Sequence, residues 1–153
     1  QLRKLSGVCK ELKRKLLVEL IIQKNFSQED ASTADEVELV EAINEVYKKD
    51  IYPYWWGINF LDSEEKWLNL NEVIDENDPE VGILLQYNNS QIEKLPSWLN
   101  TVRLNTKNFG LSVGQNIYWE TWEKYINGNY EDAEVISEVS ERFQHLSNFW
   151  SYS

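Results

Sequence analysis

Residues 54–87, YWWGINFLDSEEKWLNLNEVIDENDPEVGILLQY, decide how the chain is read. Tyr54, Trp56, Ile58 and Phe60 alternate with Trp55, Gly57 and Asn59, which is the period of a half-buried strand. Pro53 stands just before it, where a missing N–H is tolerated. Asp62-Ser63-Glu64-Glu65 reads as a short connection. In Trp67–Val73, Asn69 and Asn71 alternate with Leu68 and Leu70, so a second strand is expected. Asp75-Glu76-Asn77-Asp78-Pro79 reads as a turn, and Val81–Tyr87 is apolar enough for a central third strand.

Working outward, residues 101–104 and 109–113 flank Asn105-Thr106-Lys107-Asn108 and read as a hairpin, after a short helical piece from Pro96 that carries Trp98. Towards the N-terminus, Leu2, Leu5, Cys9, Leu12, Leu16 and Leu20 recur every three or four residues and predict one helix over 2–23, buried in its second half. Thr33 and Glu36 have capping-box spacing ahead of a second helix running to about Lys49. Towards the C-terminus, Tyr118, Trp122 and Tyr125 lie on one helical face, and Gly128 suits its C-terminal end. A final helix carries Ala133, Ile136, Val139, Phe143 and Leu146. The expectation is an α+β fold: two N-terminal helices, a mostly antiparallel sheet of about four to five strands, then two C-terminal helices, in one domain over residues 1–153.

Charge divides the chain. It carries 15 Lys+Arg against 26 Asp+Glu, a net −11. Residues 1–24 hold seven basic residues (Arg3, Lys4, Lys10, Lys13, Arg14, Lys15 and Lys24) against Glu11 and Glu19, a net +5, so residues 25–153 sum to −16. A basic amphipathic segment thus precedes a strongly acidic body. That body argues against nucleic-acid binding through phosphate contacts. No apolar run is long enough to span a bilayer, and no signal-peptide pattern is present, so a cytoplasmic location is expected. The chain opens at Gln1 without a Met, which suggests a processed or excised sequence.

The residues that could carry chemistry are sparse. His145 is the single His and has no Gly-x-Ser-x-Gly elbow to serve; it reads as a helix histidine. Cys9, the single Cys, lies on the apolar stripe of the first helix and reads as a buried free thiol. Asp75, Asn77 and Asp78 lack the Gly and the terminal Glu of a calcium loop. No phosphate-cradling glycine motif occurs, so no cofactor or metal is expected. Trp119-Glu120-Thr121-Trp122-Glu123 is the best local candidate for carboxylate-and-aromatic glycan chemistry.

Seven Trp are the most unusual feature. Trp56, Trp67 and Trp122 fall on inner faces. Trp55 should point away from Trp56, and with Tyr52 and Asn59 it could form an exposed aromatic patch ringed by acids. The favoured expectation is a non-enzymatic acidic module, an inhibitor or immunity-type protein, that engages a basic partner protein through Tyr52, Trp55, Asp62, Glu64, Glu65, Asp75, Glu76 and Asp78. Two alternatives stand beside it: an accessory subunit, or oligomer, docked through the first helix, and a small carboxylate-based glycan-binding protein or glycosidase.

Overall fold

A computed structural model describes residues 1–21, 36–86 and 95–152. The elements run α1 (Leu2–Glu11), β1 (Leu17–Glu19), α2 (Glu36–Tyr47), β2 (Trp55–Asn59), α3 (Glu64–Asn77), β3 (Gly82–Gln86), α4 (Leu95–Asn105), β4 (Phe109–Ser112), a single 3-10 turn (Gln115–Ile117), α5 (Trp119–Ile126) and α6 (Asp132–Tyr152).

The four strands form one sheet in the order β1-β2-β3-β4, and all three pairings are parallel. The architecture is therefore α/β, and the mostly antiparallel α+β layout expected from the sequence is overturned. The decisive segment is α3, which replaces the strand expected over Trp67–Val73. The four-residue alternation of Leu68, Asn69, Leu70 and Asn71 matches a strand, but Trp67, Leu70 and Ile74 also recur at helical spacing, and these three are the residues buried. Ser63 caps the helix, its Oγ accepting from the Lys66 N–H, and Glu64 and Glu65 occupy the first turn, where the helix dipole favours them. A helix here supplies the long crossover that parallel neighbours need.

Two further expectations fall for related reasons. The helix expected over 2–23 stops at Glu11, because Lys13 adopts a left-handed conformation (φ 52°) and turns the chain. The apolar run that follows is a short strand; a buried helix segment and a buried parallel strand are alike in hydropathy. The hairpin expected over 101–113 loses its first arm, since Leu95, Trp98, Leu99 and Val102 are the buried stripe of α4. Trp122, expected inside, is exposed. Gly128 does sit in the left-handed region (φ 73°) just past α5, where glycine is favoured. The Thr33 capping box lies outside the described residues.

Each crossover joins neighbouring strands, so α2, α3 and α4 all pack on one face of the sheet. Strand residues Trp56, Ile58, Ile83 and Leu85 meet Leu39 and Ile43 of α2, Trp67 and Leu70 of α3, and Leu99 and Val102 of α4 in one buried cluster. Buried polar atoms are satisfied there: Trp56 Nε1 donates to the Tyr47 hydroxyl at 2.9 Å, and Trp67 Nε1 donates to the Leu61 carbonyl at 3.2 Å. α6 continues the layer beyond α4, with Leu146 in the same cluster and the Trp150 ring against Phe109. Among the described residues no helix is long and apolar enough to cross a membrane.

Candidate ligand-binding site

Strand alternation puts a second set of side chains on the opposite face: Leu17 and Glu19 of β1, Trp55 and Asn59 of β2, Leu84 and Gln86 of β3, and Ser112 of β4. None of the apolar members, Leu17, Trp55 or Leu84, belongs to the core cluster or packs against it. Parallel sheets are ordinarily covered on both faces. Among the described residues, this sheet carries its helical layer on one face only.

Glycines shape the open face. Gly82 lies opposite Trp55 in the register, and a Cβ there would collide with the Trp55 ring; the ring also reaches to about 4 Å from where a Gly110 Cβ would stand. The indole therefore lies flat across β3 towards β4. Gly57 serves the upper half in the same way. A Cβ on Gly57 would stand 3.0 Å from Gln86 Nε2 and 3.3 Å from Glu19 Cβ, so the Gln86 amide lies over Gly57 beside Glu19.

The carboxyl ends of the strands then carry a polar row. Asn59, Gln86 and Ser112 are in register across β2, β3 and β4, and Glu19 is level with Gly57, two residues lower. Asn59, Gln86 and Ser112 are part-buried, Glu19 is exposed, and none of their side chains makes a hydrogen bond or ion pair among the described residues. In open parallel sheets, ligands bind at this end of the strands. A carboxylate, two amides and a hydroxyl can accept from and donate to several hydroxyl groups at once.

The eight residues expected to form one partner surface are divided between the two ends of α3. Asp62, Glu64 and Glu65 stand at the carboxyl end of the sheet, where Asp62 pairs with Lys66 at 2.7 Å. Asp75, Glu76 and Asp78 stand at the other end of this 14-residue helix, about 20 Å away at 1.5 Å per residue. Tyr52 is with the second group, its ring 5.5 Å from that of Tyr47. It shares a cleft with Asp78 and the basic residues that follow α1. Burial pushes the Asp78 carboxyl above the usual carboxylate value. Trp55 is on the open face between the two groups.

The other sequence candidates are occupied or superficial. Glu120 pairs with Arg142 at 2.8 Å, and Glu123 accepts from Trp119 Nε1 at 2.9 Å, so the carboxylates of that run serve local structure. His145 is exposed with its ring against Phe149, and Cys9 packs partly against the core. Among the described residues no group of three His, Cys, Asp or Glu stands together as a metal site. Sequence reading set Asn59 beside Trp55 on an exposed patch, but it missed Glu19, Gln86 and Ser112. A signal was there: LVE, WWGIN, GILLQ and FGLS each end in a polar residue. It has meaning only once the strands are known to be parallel.

A family described as an uncharacterized protein conserved in bacteria, DUF2090, matches over residues 1–153. The chain belongs to that family. No curated protein and no solved structure matches it. The fold and its polar strand ends therefore carry the functional argument for this family member.

Proposed function

We propose that the chain binds a small, uncharged, polyhydroxylated molecule at the carboxyl ends of its strands. The observation that carries this is the row Asn59, Gln86 and Ser112 with Glu19 beside it, on the face opposite the helices and, among the described residues, without side-chain partners. Part-buried amides and a hydroxyl side by side offer donors and acceptors to a ligand at little cost in desolvation. Three neutral groups and one carboxylate suit hydroxyl recognition. Hydrolysis by paired carboxylates would need a second acid, which Asn59, Gln86 and Ser112 do not supply, so the reading is of binding and not of catalysis. A cytoplasmic setting fits a chain with one free thiol.

Titration of the chain with a panel of polyols and monosaccharides, followed by calorimetry and by Trp55 fluorescence, tests this. One class should bind, and Asn59→Ala and Gln86→Ala should each weaken it by about tenfold, the loss of roughly one good hydrogen bond, with thermal stability unchanged. A flat panel, or variants that bind like the parent, would sink the reading.

A second reading keeps a protein partner, because α5 and its N-cap expose Tyr118, Trp119, Trp122 and Ile126, and α1 and its C-cap expose Leu5, Val8 and Leu12. The net −11 would steer a basic partner. Light scattering after size exclusion addresses the α1 part: a chain that stays monomeric at high concentration speaks against self-association through that stripe.

A further inference from the structure

At the opposite end of the sheet from the polar row, the chain leaves α1 through a turn that gathers positive charge. The Arg14 N–H donates to the Cys9 carbonyl at 2.8 Å and the Lys13 N–H to the Lys10 carbonyl at 3.2 Å. This is the reversal that usually carries glycine at its left-handed position. Here Lys13 holds that position, at φ 52°. The turn places Lys10, Lys13, Arg14 and Lys15 around one cleft of about 330 Å³, faced by Tyr52 and Tyr54. Lys15 Nζ stands 3.7 Å above the Tyr54 ring. Among the described residues Lys10, Lys13 and Arg14 have no carboxylate partner, and Asp78 is the one acid lining the cleft.

We infer that this cleft binds a small phosphorylated anion. Cations in the last turn of a helix do offset its dipole, but that account does not require a strained lysine where glycine would be easier, nor four cations turned to one cleft of a chain whose net charge is −11. Ammonium groups act as point charges for phosphate oxygens, and the Arg14 guanidinium can hold two of them. The cations are exposed and screened by solvent, so a ligand must carry several charges to be held. Phosphate esters and diphosphates do so; a single carboxylate does not. The site is independent of the polar row.

Inorganic pyrophosphate is the probe, titrated into the full chain by calorimetry at low and at raised ionic strength. It should bind, with affinity falling as salt rises. Lys13→Gly should weaken binding by about tenfold while leaving the melting temperature unchanged or higher, since glycine relieves the left-handed strain. Arg14→Gln with Lys15→Gln should also weaken binding, and carries the same test should Lys13→Gly fold poorly. Lys66→Gln, at the far end of α3, should bind like the parent. Absence of pyrophosphate binding by the parent chain would overturn the inference, as would equal loss in Lys66→Gln or unchanged affinity in both cleft variants.

Discussion

The Tyr47 hydroxyl accepts from Trp56 Nε1 at 2.9 Å inside the core, and burial pushes its pKa from the ordinary 10.0 up to about 12. Tyrosinate is therefore disfavoured in the folded state alone. Below pH 10 both states hold the proton and the stability is fully present. Between pH 10 and about 12 the unfolded chain releases its proton while the folded one keeps it, so stability is lost as pH rises. The expected loss is on the order of 2 kcal/mol, and Tyr47→Phe should remove most of this alkaline sensitivity, measured as denaturant midpoints from pH 9 to 12. The residue scale is also where sequence reading worked in part. The opposed directions of Trp55 and Trp56 followed from alternation alone. That Trp55 lies flat did not, because Gly82 and Gly110 make room for it from other strands.

Among the elements, α5 and α6 are joined by a charged clamp. Arg142 on α6 donates to Glu120 of α5 at 2.8 Å and to Glu138 at 2.6 Å, and Lys124 of α5 reaches Glu138 at 3.4 Å. Arg142→Ala should cost about 1 kcal/mol, the scale of a partly exposed ion network, and should raise hydrogen exchange selectively in the α5 amides. Hydrogen bonding from the Tyr130 hydroxyl, and then from Arg142 and Lys124, holds the Glu138 carboxyl below its usual range. Its contribution is thus present above the ordinary carboxylate value and lost as pH falls through the lowered one, so the clamp loosens in acid. Both C-terminal helices and the Gly128 stop were legible from period and cap. α3 was not read as a helix, because a seven-residue window with Leu68, Leu70, Asn69 and Asn71 fits two periods. The cap at Ser63 and the acids after it were the discriminating signal.

For the whole molecule, β2 and β3 are flanked on both sides and one face of each is covered by α2, α3 and α4, whereas β1 and β4 are edges among the described residues. Native-state hydrogen exchange should therefore rank the amides of Trp56, Ile58, Ile83 and Leu85 slowest, near global unfolding, with those of β1 and β4 faster by sub-global opening. Equal protection across all four strands would contradict the open edges. Sequence by itself determined that the chain has a large aromatic core, where many strands and helices lie, and that positive charge is concentrated before residue 25. These are local or additive properties: period, cap chemistry and charge count need no knowledge of neighbours. Only the tertiary structure decided the direction of the strands, because one helix in place of a strand turns an antiparallel meander into a parallel crossover. With direction came the function-bearing features. Parallel strands bring four polar ends to one edge and carry the acids of α3 to opposite ends of the molecule. They also place the basic turn after α1 beneath the strands, beside Tyr52 and Asp78. No spacing along the chain encodes those meetings, since each joins residues from elements that touch only after the sheet has formed.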